Sequence, residues 1–257
     1  VTGLLVFTMR HELTGNAGDL QKSLAHRNMG FAGRLTYGFD NRYLFEANFG
    51  YNGSERFAKK KRWGFFPSVG AGWILSNEKF YQESNIEKIL PKVKFKATYG
   101  LVGNDAIGSS EDRFFYLSNV NLRDGNRGMG FGTDKQYYRD GVSISRYENY
   151  DIGWETAYKT NIGVELNFYR KLEIQADYFQ ERRTNILQDR KNVPPTMGLQ
   201  STVRTNIGEA RGRGFEISMD YNHYFKNDMW LSGRANFTYA TNEYKVFEEL
   251  DYKDMPW

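Results

Sequence analysis

The side chains best suited to bond chemistry in this sequence are few and widely separated. There are 3 histidines: His11 and His26 fall in one long polar stretch, and His223 in a short one at the opposite end of the pattern described below. They are scattered and not expected to share a metal ion, and a zinc or thiol centre would need a cysteine, of which the chain has none, or a histidine cluster. Gly128-Met129-Gly130-Phe131-Gly132 has the look of a phosphate-cradling turn, yet it follows no buried strand and opens no helix, the context such a turn requires, so a flexible loop tip is expected. Gly212-Arg213-Gly214 fails on the same ground. The acid pairs Glu111-Asp112 and Glu248-Glu249 have the composition of solvated loops, and no Ser/His/Asp arrangement can be argued. The sequence therefore assigns no catalytic residue, no metal ligand and no cofactor.

Binding is the chemistry that remains. The run Lys59-Lys60-Lys61-Arg62 is the densest block of charge. It reads as a solvated loop that could also meet phosphate groups at a membrane surface. The stretch 102–153 is richer, holding Phe114, Phe115, Tyr116, Tyr137, Tyr138 and Tyr147 among Asp and Arg residues. Flat rings bordered by polar groups suit sugar or peptide ligands, because the ring buries an apolar face while its neighbours fix orientation. Phe114, Phe115, Tyr116, Tyr137 and Tyr138 are the candidate ligand-binding residues. The competing reading is that these rings only pack the loop onto its surroundings.

The elements that must position these loops show a period of two. Met29, Phe31, Gly33, Leu35 and Tyr37 share a face opposite Asn28, Gly30, Ala32, Arg34 and Thr36. After Asp40-Asn41, the residues Tyr43, Phe45, Ala47, Phe49 and Tyr51 alternate with Glu46, Asn48 and Gly50. The pattern returns in Val93 to Leu101, Ile162 to Phe168, Leu172 to Tyr178, Phe215 to Tyr221 and Leu231 to Tyr239. Segments 1–10 and 63–75 bring the strands to nine. Across the seven clearest segments no Lys, Arg, Asp or Glu falls on the apolar face, while the other carries Arg34, Glu46, Lys94, Glu165, Asp177, Glu216 and Arg234.

The connections alternate in length. Short ones at 39–42, 168–171 and 222–228, and a medium one at 76–92 with room for a turn of helix, separate the long polar stretches 11–27, 52–62, 102–153 and 184–209. Bacterial outer-membrane barrels have this arrangement, with short periplasmic turns and long extracellular loops. A cation on a lipid face near mid-bilayer costs about 2–4 kcal/mol, which explains the uncharged stripe. Tyr37, Tyr43, Phe168 and Tyr221 beside the short turns suit an interfacial aromatic girdle. Composition agrees: 16% of the chain is aromatic and glycine (26) far exceeds proline (5), while the mean hydropathy of −0.69 is too low for a bundle of membrane helices. A net charge of +4 from well-mixed residues gives no argument for nucleic acid. Open strand edges are costly in lipid, so nine strands are expected to belong to a larger closed barrel, with 1–257 as a partial barrel domain. Glu248 to Pro256 do not alternate, and Trp257 is read as a break within a loop.

Several runs then resemble the SusC-like (RagA-type) TonB-dependent transporters of Bacteroidota, in family order along nearly the whole chain. They are Gly64-Phe65-Phe66-Pro67-Ser68-Val69-Gly70-Ala71-Gly72-Trp73 with Ser76-Asn77-Glu78-Lys79-Phe80, and Lys96-Ala97-Thr98-Tyr99-Gly100-Leu101-Val102-Gly103-Asn104-Asp105. Trp154-Glu155, Asn161-Ile162-Gly163, Asp177-Tyr178-Phe179, Arg183 to Leu187 and Asn206-Ile207-Gly208 follow, the last leading to Gly214-Phe215-Glu216. Gly70, Gly72, Gly163 and Gly214 are expected to relieve crowding or bend strands, and Asn104-Asp105 and Asn206 to form turns.

The resemblance implies an antiparallel transmembrane β-barrel of about 22 strands with a plugged lumen, of which this chain would supply the middle. It implies an outer-membrane importer of glycans or peptides that performs no bond chemistry. Its partners would be a SusD-type lipoprotein capping the barrel, outer-membrane lipid, and the TonB complex acting through regions beyond this sequence. A passive porin or secretion barrel would share the alternation, and a soluble carbohydrate-binding β-sandwich is the third reading.

Overall fold

The computed structural model describes residues 1–13, 15, 23–108, 113–226 and 228–249. Its strands are β1 (Thr2–Glu12), β2 (His26–Phe39), β3 (Tyr43–Ser54), β4 (Trp63–Ile74), β5 (Lys92–Asn104), β6 (Asn119–Phe131), β7 (Tyr137–Arg146), β8 (Glu155–Phe168), β9 (Leu172–Asp189), β10 (Arg204–Tyr224) and β11 (Trp230–Val246). Nine of them form one antiparallel sheet in the order β1-β2-β3-β4-β5-β8-β9-β10-β11, and β6 and β7 form a separate hairpin. The sheet is an open arc: β1 and β11 each pair on one side only.

Register places every apolar stripe on the same side. One row runs Leu35, Ala47, Val69 and Tyr99 across β2 to β5. Another passes Phe95, Val164, Ala176, Ile217 and Phe237 across β5 and β8 to β11. Because side chains alternate, a slip of one residue in any pair would have mixed the faces, and none occurs along these rows. This apolar face is exposed rather than packed on a second layer: Phe31, Leu35, Phe45, Val69, Tyr99, Ile162 and Phe237 all lie open.

The short connections are tight. Asp40 and Asn41 both take positive φ (52° and 51°), as the central pair of a type I′ turn does. They lie within a three-residue connection between the paired Phe39 and Tyr43, closed by the Arg42 amide donating to the Phe39 carbonyl at 3.0 Å. Tyr169 and Arg170 repeat it with φ of 51° and 57°, although neither is a residue that favours this region. The medium connection holds two 3-10 turns around a single-turn helix, Lys79–Gln82. Its anchor is Glu78, which accepts hydrogen bonds from Tyr43 (2.7 Å), Trp73 (3.0 Å) and Arg42 (2.9 Å). Those bonds hold the carboxyl below its usual range, the Tyr43 hydroxyl contributing most.

Several boundaries differ from the sequence reading. β9 and β10 run on to Asp189 and from Arg204, so the connection placed at 184–209 shrinks to 190–203. His11, His26 and His223 lie within strands rather than in connections. Asn206 stands inside β10, not in a turn, at an irregularity where register shifts between Asn206 and Gly208. For the differences at the outer end, which excludes His223, the physical reason is shared. Above the apolar band the exposed face turns polar (Gln180, Arg182, Arg211, Arg213, Thr241, Glu243), so alternation ends although the backbone ladder continues. Cross-strand ion pairs such as Arg182–Glu209, 2.6 Å apart, hold the ladder there. The pair Glu111-Asp112 and Trp257 lie outside the described residues.

Candidate ligand-binding rim and polar wall

The stretch 102–153 is no simple loop, because β6 and β7 form a hairpin standing at the long-connection end of the sheet. Apolar and polar residues alternate there only briefly, in Val120-Asn121-Leu122 and Val142-Ser143-Ile144, too short a run for period-two reading to mark a strand. The glycine run 128–132 closes this hairpin: Gly130 faces Tyr138 in register and Gly132 takes φ of 85°. Asn104 forms the turn after β5, its side-chain oxygen accepting the Ala106 amide at 3.0 Å.

The long connections share a small hydrophobic core. Phe57 from the β3–β4 connection, Ile107, Phe115 and Ile152 are buried together, with Trp154 and Leu187 packed against them. Arg113, itself buried, binds Glu55 at 2.9 Å and donates to the carbonyls of Leu24 and Ala25 before β2. Arg56 donates to the carbonyls of Asp105 (3.1 Å) and Ile107 (2.8 Å). Asn206 donates to the carbonyls of Gly153 (3.2 Å) and Asn185 (2.7 Å) and accepts the Gly153 amide at 3.0 Å. Ser201 and Gln200 join the 190–203 connection to β7 through the Ser145 carbonyl (2.8 Å) and Ile144 amide (2.8 Å). Four connections are thus tied together, by residues such as Arg113 and Arg56 that no periodicity marks.

The five aromatic candidates separate into four places. Phe115, only 1% exposed, belongs to the core just described. Its neighbour Phe114 takes φ of 50°, turning away to line a groove on the apolar side of the sheet beside Met9, Met29 and Trp63. Tyr116 is half-buried against Tyr150, with ring centres 5.5 Å apart. Tyr137 (70% exposed) and Tyr138 (56%) stand open on β7. Among the described residues no three His, Cys, Asp or Glu side chains converge on a metal-sized site.

The polar face of the sheet carries an ordered charge lattice. Lys92 and Lys94 each lie 3.1 Å from an oxygen of Glu165, and Arg34 lies 2.6 Å from Glu46. Lys96 reaches Asp177 at 2.9 Å, crossing β8 over Gly163, which is in register with both. A Cβ at Gly163 would lie 2.2 Å from the Asp177 carboxylate and 2.5 Å from the Lys96 side chain, so this glycine answers crowding as expected. Nearby, a hollow of about 630 Å³ is lined by Glu46, Asn48, Ser68, Lys94, Lys96 and Thr98.

An exposed apolar face backed by a hydrated, charged one describes a wall with lipid on one side and water on the other. The sequence profile for "TonB dependent receptor-like, beta-barrel" matches residues 11–256. The chain belongs to this TonB-dependent receptor β-barrel family. The TonB-dependent receptor SusC of Bacteroides thetaiotaomicron is 30% identical over 227 residues, covering 87% of this chain and 21% of that protein. TonB-dependent receptor P39 of Formosa agariphila is 28% identical over 211 residues, covering 82% and 18%. Among solved structures, the RagAB peptide importer in its open-open state superposes with a TM-score of 0.69 at 27% identity, over 89% of this chain and 23% of that one. The siderophore receptor PirA of Pseudomonas aeruginosa, at 15% identity and a TM-score of 0.51, shares the fold alone. The chain spans about a fifth of the length of these curated relatives. As a member of this TonB-dependent receptor barrel family, it is outer-membrane wall: its apolar face meets lipid, its charged face the lumen, and its long connections the cell exterior.

Proposed function

We propose that this chain is the middle wall and part of the outer rim of a TonB-dependent importer of glycans or peptides, capped by a SusD-type lipoprotein and driven by the TonB complex. The observation that carries this reading is the lumen face: its cations are paired with carboxylates along β5, β8 and β9, as suits a hydrated passage for large polar cargo. The likeness to SusC and to a protein described as a peptide importer supports the same reading. Within it, Tyr137 and Tyr138 present open rings to cargo or lipoprotein, while Tyr116 packs against Tyr150 and Phe115 holds the rim together. Loss of the receptor should abolish growth of its source bacterium on one class of glycan or peptide, and a protonophore should stop uptake. Uptake that persists without the proton gradient would replace the importer with a passive pore. Removing either open ring should weaken ligand binding roughly 2- to 12-fold, the equivalent of about 0.5–1.5 kcal/mol for an aromatic contact; unchanged affinity in both variants would remove them from the site.

A further inference from the structure

A groove of about 660 Å³ lies on the lipid-facing side where β1 to β4 meet the cell exterior. Its floor is one registered row: Met9 opposite Met29, Met29 opposite Gly53, and Gly53 opposite Trp63. Gly53 makes the notch. The Trp63 ring leans across it, 3.2 Å from where a Cβ would stand, and stacks on Tyr51 with centres 4.8 Å apart and planes at 14°. Met9, Met29 and Trp63 are exposed, and Phe114 leans in from the β5–β8 connection.

Above this apolar floor the lining becomes cationic. Arg27 and His11 face each other in register, Arg62 borders them, and Arg10, on the opposite face, is neutralised by Glu12 at 2.5 Å. Arg27 is exposed and has no ion-pair or hydrogen-bond partner among the described residues. The lining's carboxylate, Glu55, is already neutralised by Arg113, and Lys59, Lys60 and Lys61 stand exposed on the adjoining β3–β4 connection. The level can be placed. Gly53 is six residues above Ala47, about 20 Å along a strand and about 14 Å of depth at a 45° tilt, close to the edge of an apolar band ~25 Å tall. The groove therefore opens sideways at headgroup height, and its floor continues the lipid-facing surface without a break.

We propose that this groove seats a phosphate-bearing acyl glycolipid of the outer leaflet, one acyl chain along Met9, Met29, Gly53 and Trp63 and a phosphate against Arg27 with His11 beside it. The site is distinct from the lumen and from the rim residues offered to cargo, and it holds whatever the receptor imports. The test uses the whole purified receptor in detergent, with binding of bisphosphorylated lipid A, dephosphorylated lipid A and inorganic phosphate read by native mass spectrometry. Bisphosphorylated lipid A should bind, the dephosphorylated form should bind at least about tenfold more weakly, as loss of a charge-assisted contact requires, and millimolar inorganic phosphate should not displace the lipid. Arg27→Gln should reproduce the tenfold loss, Arg27→Lys should retain most of the affinity, and Lys135→Gln on the distant hairpin should change nothing. Equal binding of the two lipid forms would overturn the proposal, and that comparison needs no variant. Displacement by inorganic phosphate would overturn it in favour of a free-anion site, and wild-type affinity in Arg27→Gln would remove the assigned cation.

Discussion

Replacing Ala47 by arginine tests the assignment of faces at its most sensitive point. Ala47 lies on the lipid face between Leu35 and Val69 in register, four residues from Tyr43 and four from Tyr51. At about 3.3 Å per residue and a tilt near 45°, that is about 9 Å of depth from either tyrosine, which places Ala47 near the bilayer midplane. A cation there costs about 2–4 kcal/mol, and because alanine has little side chain to lose, nearly all of the effect is the charge. The equilibrium between folded and unfolded receptor in liposomes should shift roughly 30- to several-hundred-fold, from tenfold per 1.4 kcal/mol. Denaturant titration of the whole receptor, followed by the heat-modifiable mobility of the folded barrel, measures it. The matched control is Thr36→Arg, next along β2 from Leu35, because Thr36 faces the hydrated lumen opposite Glu46, a carboxylate it would share with Arg34. Ala47→Leu should be silent. If Ala47→Arg and Thr36→Arg destabilise equally, the sidedness of the sheet is wrong.

Three further outcomes follow from local geometry. Gly163→Ala should destabilise the barrel by about 1–3 kcal/mol through overpacking against Lys96 and Asp177, whereas Gly38→Ala, whose Cβ would lie an ordinary 3.6 Å from Leu44, should be near neutral; melting of the two variants decides it. Glu78→Gln should loosen the β4–β5 turn. Because the Glu78 carboxyl is held below its usual range, its contribution is fully present above the unfolded value near 4.3 and fades as pH falls through the lowered folded value. Wild type and Glu78→Gln should therefore differ in melting temperature at pH 7 and converge in strong acid. A difference that persists there would assign the effect to packing. Arg113→Ala should speed proteolysis within 102–153 while leaving barrel melting unchanged, since Arg113 ties connections together through Glu55 and the Leu24 and Ala25 carbonyls; equal cleavage rates would show that those groups do not depend on it.

The membrane-embedded part of the fold was legible because lipid imposes a strict rule on every second residue. Phe45, Ala47 and Phe49 against Glu46, Asn48 and Gly50 could be sorted without coordinates, and register confirmed the sorting strand after strand. Where water bathes both faces the rule lapses. From Arg182 to Arg213 no apolar stripe continues, so in sequence the outer ends of β9 (184–189) and β10 (204–209) read as part of the loop 184–209. The rim was harder still. Phe114 and Phe115 are adjacent and alike in chemistry, yet a positive φ at Phe114 sends them to opposite environments. The hairpin β6–β7 is held by a fold-back of its own and by side chains of the 190–203 connection, partners too remote in sequence for local pattern to reveal.

The shared core beneath the rim also bears on how such a receptor can change over time. Phe57, Ile107, Phe115 and Ile152 fasten the connections, while Tyr137 and Tyr138 are displayed on a hairpin that adds no strand to the barrel sheet. Anchorage and display are thereby carried by different residues. Substitutions on the hairpin can alter what the rim meets without disturbing how the wall is built, so new specificity need not wait for compensating changes in the barrel. For the engineer, the same division marks β6–β7 as the place to graft a foreign peptide, and the Phe57–Phe115 core as the place to leave untouched.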